Sequence, residues 1–314
     1  MVIEDLAYTS TPYDRAADRR ADPAWVAAQR ARPDLRVVPV WRDRCLTRAG
    51  VPVTGIGPAV LEAADQTALL GLDQDEGDGP PVFAADLSDR TEAAALALCG
   101  AEATVDLRRL AADLTAPVAA TLAYARGLLY WNRLSRFCGT CGSPTESVHA
   151  GHIRECASAE CGRLLFPRIE PAVIVLVEHD GPQPRCLLAR HHGAGPNGFA
   201  LLAGFVEIGE SLEGAVRREV AEEAGVAVGE VTYLGSQGWP FPAGLMVGFL
   251  GRAVEDTINV DGAELVEARW FTREQVVERI TSGPGSGPVD SIGGRLLRTW
   301  AGLADETDET QVTP

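Results

Sequence analysis

Residues 204–226 read GFVEIGESLEGAVRREVAEEAGV, and the spacing of their carboxylates governs how the rest of the chain is read. Ser211 suits an N-cap and Gly225 the residue just past a helix end, which predicts a helix over 211–224. Within it Glu219, Glu222 and Glu223 stand at i, i+3 and i+4, so three carboxylates project from one face inside one turn. Like charges that close repel unless something positive sits among them. Hard oxygen donors with room for water are what Mg2+ or Mn2+ prefers, and Arg217 and Arg218 precede them to orient or neutralise. For three glutamates taken alone, the solvated face of an acidic helix is the competing explanation.

Outward from this helix, Ala172–Glu178 is a β-branched run that predicts a buried strand, with Cys186–Arg190 as its hairpin partner across Asp180–Pro184. Strands are expected at Val231–Ser236, Leu245–Arg252 and Val266–Phe271, and helices near Arg273–Ile280 and Ile292–Gly302. Residues 1–133 read as a separate α/β domain, with strands at Leu35–Trp41 and Pro81–Ala85 and helices at Glu92–Gly100 and Ala119–Asn132. The class is α+β with a mixed sheet. The segment 71–81, GLDQDEGDGPP, reads as a solvated acidic loop, and 303–314 as a disordered acidic tail.

Between these parts lie Cys138-x2-Cys141 and Cys156-x4-Cys161, four of the seven cysteines, with 14 residues separating the pairs. Four thiolates at such spacing suit two tight turns gripping one tetrahedral Zn2+, and a full sulfur shell leaves no place for water, so the metal is expected to be structural, one per chain. Two disulfides, or four unligated thiols, are the alternatives; His149 and His152 lie between the pairs, where either could replace a cysteine.

The chain has 314 residues, 46% hydrophobic and 23% charged, which fits two or more globular domains. No apolar run approaches the roughly 18 residues that cross a bilayer. The start, MVIEDLAYTS, is acidic where a secretion signal is basic, so the expected compartment is the cytoplasm. All 28 basic residues are arginine, which excludes P-loop and Schiff-base chemistry. The net charge of −16 argues against nonspecific nucleic-acid or membrane binding, and an anionic ligand would need bound metal to be accepted.

The stretch 204–226 resembles the Nudix box over its whole length: Gly204, Glu210, Arg218, Glu219, Val220, Glu222, Glu223, Gly225 and Val226 occupy its fixed positions. Downstream, Ser236-Gln237-Gly238-Trp239-Pro240-Phe241-Pro242-Ala243-Gly244 is similar to the SQPWPFPxS signature of NADH pyrophosphatases, departing from it at Gly238 and Gly244. That subfamily also has an N-terminal domain and a four-cysteine zinc module before its Nudix domain. The resemblance therefore implies domains at 1–133, 134–168 (zinc ribbon) and 169–302, the last a Nudix fold with a mixed sheet sandwiched by helices.

It further implies divalent-metal-dependent hydrolysis of the pyrophosphate of NADH or NAD+ to NMN(H) and AMP, possible removal of NAD caps from RNA, and a homodimer. Glu219, Glu222, Glu223 and Arg218 would be the catalytic group. Ala203 through its carbonyl, with Glu219, Glu223 and Glu264, would hold Mg2+ or Mn2+, and Glu210 would pair with Arg218. Phe166 and the loop Gln237, Gly238, Trp239, Pro240, Phe241, Pro242, Ala243 and Gly244, with Gly293, would meet substrate. From the residues themselves, two aromatics in a proline-stiffened loop make a wall on which a base can stack, and Gln237 can bond a ring edge; a packed loop covering the core is the alternative. The expected Gly238 effect is a looser loop. Another nucleoside diphosphate substrate, such as an ADP-sugar or dinucleoside polyphosphate, or a non-catalytic nucleotide sensor, are the competing functions.

Overall fold

The computed structural model describes the whole chain except residues 1, 2, 4, 5, 56, 74–78, 261, 283–290 and 304–314. The centre of the acidic loop 71–81, most of the segment 283–292 and the acidic tail from 304 lie outside the described residues. Two compact units emerge: Tyr8–Ile169 with Trp239–Ala243, and Met1–Ala7 with Glu170–Gly238 and Gly244–Pro314.

The first unit carries a seven-stranded sheet in the order β1 (Tyr13–Asp14), β5 (Gln66–Asp73), β6 (Pro81–Asp86), β2 (Arg36–Trp41), β3 (Arg44–Arg48) and β4 (Val51–Pro52), with β7 (Ala103–Val105) also on β3. Only the β2–β6 pair is parallel. Strand β6 is buried at all six positions, which is why its sequence, PVFAAD, shows no polar alternation. One face packs Val37, Leu69 and Phe83 against Ala95 and Cys99 of α3 (Glu92–Cys99). The short helices α1 (Pro23–Arg30), α2 (Pro58–Glu62) and α4 (Leu107–Leu110) flank the strands, and α5 (Ala116–Leu134) lies along β2, β5 and β6. Helix α5 starts three residues before the expected Ala119, because Pro117 fits a first helical turn that needs no donor. A small antiparallel sheet, β10 (Leu164–Leu165), β9 (Ile153–Cys156) and β8 (Thr145–Val148), completes the unit.

The second unit is organised by β11 (Glu170–His179). It pairs in parallel with β15 (Gly244–Ala253) and on its other edge with β12 (Arg185–His191) and β13 (Leu202–Phe205); β14 (Val228–Trp239) and β16 (Leu265–Thr272) close the order β14-β15-β11-β12-β16. Its side chains alternate between two cores. Val173, Val175 and Val177 pack with Ala215, Val216, Val220 and Ala224 of α6 (Leu212–Ala224), whereas Leu176 packs with Leu296, Leu297 and Trp300 of α8 (Ile292–Ala301) and Val276 of α7 (Arg273–Ser282). A strand with a continuous apolar run over Ala172–Val177 is thus buried on both faces, and the mixed sheet sits between helices as the α+β reading expects. Within α6 the Ser211 hydroxyl accepts from the Gly214 N–H at 3.0 Å, and Gly225 stops the helix at φ +68°.

Candidate functional site

Helix α6 buries Val216, Val220 and Ala224, and the same geometry sends Glu219 and Glu222 along the flank, while Glu223 is 5% exposed. Arg218 sits among the acids as a four-way tie. Its Nε and Nη2 donate to the two Glu210 oxygens at 2.8 and 2.9 Å, a bidentate pair, and its Nη1 donates to Glu219 at 2.9 Å and Glu222 at 3.1 Å. Nη2 also donates to the Phe205 carbonyl at 2.9 Å, fixing the strand-to-helix connection. The fork of Arg218 and the Glu207 N–H hold the Glu210 carboxyl down at about 2, and Glu210 in return raises Arg218. Arg217, expected to help neutralise the acids, donates instead to the Gly229 and Glu213 carbonyls.

Gly204 lies near the end of β13, against this helix. A Cβ there would fall 1.9–2.2 Å from the Glu219 carboxylate group, so the carboxylate occupies the space a side chain would fill. Hard oxygens so placed, beside a strand whose Ala203 lies opposite Ile174 in the β11–β13 ladder, fit a divalent cation. Glu264 is exposed immediately before β16, and its carbonyl accepts from the His192 N–H at 3.3 Å. Among the described residues the acids do not close into a compact ligand cluster, because Glu219 and Glu222 both lean on Arg218.

The cysteines do close. The four Sγ atoms of Cys138, Cys141, Cys156 and Cys161 all lie within 4.8 Å of one another, with Cys138–Cys161 at 3.8 Å and Cys141–Cys156 at 3.4 Å. Zn–S bonds of about 2.3 Å in a tetrahedron require S···S edges of about 3.8 Å, so the set fits zinc despite its wider x4 spacing. The Ser143 hydroxyl and N–H draw the Cys141 thiol down to about 6. The Cys156 thiol, although the Ser158 N–H favours its thiolate, is pushed up to about 12 by burial and neighbouring sulfurs. His152 is no ligand: its Nε2 lies 2.7 Å from the Leu69 carbonyl, and burial pushes it down to about 4.

The signature segment is part strand and part turn. Gly238 is inside β14, which extends to Trp239, so it belongs to a strand. Gln237 is fully buried; its Nε2 donates to the Ala7 carbonyl at 3.0 Å and its Oε1 accepts from the Ile292 N–H at 2.8 Å, so it meets a ligand only if those bonds are exchanged. Trp239 and Phe241 stack edge-to-face at 5.2 Å, both meet Tyr8 edge-on, and Arg108 lies 4.1 Å from the Phe241 centroid. Arg126 donates to the carbonyls of Pro240 and, at 3.3 Å, Pro242. Tyr8, Arg108 and Arg126 carry no sequence signal for this role, since each is more than 110 residues from the loop. Ala243 ends the segment and Gly244 opens β15. Phe166 is 58% exposed and lines a cleft of about 480 Å³ with Trp131, Arg163 and Arg168. Gly293, in the first turn of α8, packs on Ile174, where a Cβ would lie 3.0 Å from Cδ1.

Three family models match in tandem along the chain. An NADH pyrophosphatase-like rudimentary NUDIX domain spans residues 34–131, an NADH pyrophosphatase zinc ribbon domain 133–166 and a NUDIX domain 168–289. The segment 168–289 is thus similar to a Nudix domain. Among curated relatives of this chain, the NAD-capped RNA hydrolase NudC of Mycobacterium bovis is 46% identical over 189 residues, covering 60% of this chain and 59% of its own. The human NAD-capped RNA hydrolase NUDT12 is 43% identical over 193 residues, covering 58% of this chain and 41% of its own. The chain thus spans about half the length of these relatives. A solved NUDIX hydrolase from Nitrosomonas europaea aligns over 48% of this chain and 95% of its own at 21% identity, with a TM-score of 0.36.

Three outcomes follow from the Nudix helix and its ribbon. Gly204→Ala should displace the Glu219 carboxylate and lower metal-dependent turnover by about 10²-fold, with denaturation midpoint nearly unchanged, since the group that must move is the tip of a flexible side chain. Because Glu210 is held at about 2 against an ordinary 4.5, the unfolded chain takes up its proton first. The stabilisation is present above pH 4.5 and lost as pH falls toward 2, so acid titration of Glu210→Gln should show a flatter decline across that window. Purified protein should hold about one zinc per chain by elemental analysis, and Cys141→Ser should lose it and melt at markedly lower temperature.

Proposed function

We propose that this chain hydrolyses the pyrophosphate of NADH or NAD+ to NMN(H) and AMP and removes NAD caps from RNA 5′ ends. The observation that carries this reading is Glu219 seated against the bare backbone of Gly204 and tied through Arg218 to Glu210 and Glu222. The names of the relatives, NAD-capped RNA hydrolases, support the substrate class. Glu219 and Glu223, with Glu264 and the Ala203 carbonyl, would hold Mg2+ or Mn2+, which when bound neutralises phosphate charge and acidifies the attacking water.

The chain's own residues supply orientation and the proton acceptor. Arg218 spends its bidentate fork on Glu210, so its remaining nitrogen sets the direction of Glu219 and Glu222 without leaving the helix. Glu222, whose side chain is 62% exposed, stands where water reaches it and, with Glu219, is the proposed acceptor of the water proton. For the ring ends of the substrate we retain Phe166, Trp239 and Phe241 as contacts, with Gln237 and Gly238 supporting the loop from β14. The unpaired state of all seven cysteines supports a reducing compartment, the cytoplasm, and the NADH-pyrophosphatase resemblance supports a homodimer, which light scattering tests.

Glu219→Gln and Glu223→Gln should retain the circular dichroism of the parent and lose roughly 10³-fold or more in turnover, the scale of lost charge stabilisation at a phosphoryl centre. The assay compares NADH, NAD+, NAD-capped RNA, an ADP-sugar and a dinucleoside polyphosphate side by side. Preference for either of the last two would overturn the NADH assignment, and near-parental rates in both variants would overturn the hydrolytic site.

A further inference from the structure

A cleft of about 780 Å³ opens in the first unit beside α1, β5, β8 and β9, and three arginines line it: Arg20, Arg30 and Arg154. Arg154 is 4% exposed. Its Nε donates to the Thr145 hydroxyl at 2.7 Å, its Nη1 to Gln66 Oε1 at 3.0 Å and Asn132 Oδ1 at 3.3 Å, and its Nη2 to the Thr145 carbonyl at 2.7 Å. Every one of these acceptors is neutral. Arg30 donates to the Thr67 hydroxyl at 2.9 Å and lies 5.6 Å from the Phe83 ring centroid; Arg20 Nη1 lies 3.0 Å from His152 Nδ1. Among the described residues no carboxylate pairs with any of the three, in a chain where acids outnumber arginines by 44 to 28.

Three acids, Asp65, Glu146 and Glu155, share the lining, but among the described residues none is paired with these arginines. Asp65 is paired with Arg136 at 2.5 Å. Glu146 and Glu155 oppose each other in the β8–β9 ladder one step from the Ser147–Arg154 pair, and both are exposed, where water screens their charge. A buried charge is costly unless a counter-charge meets it. A guanidinium held in place by neutral acceptors keeps its positive charge and so its attraction for an anion, while Arg20 and Arg30 carry forks whose planar geometry matches phosphate. Pro23 and Val26 of α1 add an apolar wall to the same cleft.

We propose that this cleft is a binding site for a phosphorylated small molecule, with its phosphate held by Arg30 and Arg20 and attracted by the buried charge of Arg154. The site lies in the first unit and does not rest on the hydrolytic reading of helix α6. Inorganic pyrophosphate is the probe, titrated by calorimetry into the full chain without added divalent metal, conditions in which the acidic helix repels a bare polyanion. Saturable binding of one pyrophosphate per chain is expected, weakened roughly tenfold by each of Arg20→Ala and Arg30→Ala, the loss of one charge-assisted contact apiece. Both variants should melt at the parental temperature without pyrophosphate, and Glu219→Gln should bind it as the parent does. Absence of saturable binding, binding that survives the Arg20→Ala/Arg30→Ala double variant, loss of binding in Glu219→Gln, or heat that tracks zinc release would each overturn the proposal.

Discussion

Mutual repulsion among carboxylates is the constraint on which this protein's chemistry turns. Glu210, Glu219 and Glu222 are brought to a single guanidinium by the start and middle of α6, and Glu223 is buried on the same helix. Without Arg218 the arrangement would be self-opposing; with it, the bidentate pair to Glu210 anchors the cation while one nitrogen still reaches the other two acids. The result is an acidic surface that can attract a divalent cation yet is stable enough to fold before one arrives.

That cluster is aimed by packing. Strand β11 is apolar at successive positions, so its alternation must find a core on each side, and it does, with α6 covering one face and α8 the other. Pressing Val216, Val220 and Ala224 into the sheet leaves the helix no freedom of rotation, and the acids take the directions that remain. Gly204 then sets the depth, since only a residue without a side chain lets the Glu219 carboxylate lie against the strand. The ribbon follows a different logic. Ser143 and Ser158 place hydrogen-bond donors at Cys141 and Cys156, so the turns are shaped for thiolates by their own backbone and need little from the rest of the fold.

Where a ligand's chemistry is local in sequence, the sequence alone determined it. The helix over 211–224, its Ser211 cap and Gly225 stop and the gathering of four cysteines all depend on separations of a few to about two dozen residues, within which helix period and turn geometry dictate who meets whom, while the pairing of Glu210 with Arg218 was legible only through the resemblance to the Nudix box. The doubly buried β11 was legible for the same reason, from a run of β-branched residues. Only the tertiary structure decided the rest. It turned Gln237 inward between Ala7 and Ile292, drew Gly238 into β14, enclosed Trp239 and Phe241 with Tyr8 and Arg108, and brought Arg20, Arg30 and Arg154 to one cleft. These partners lie tens to hundreds of residues apart, and no local periodicity encodes a meeting that chain folding alone brings about.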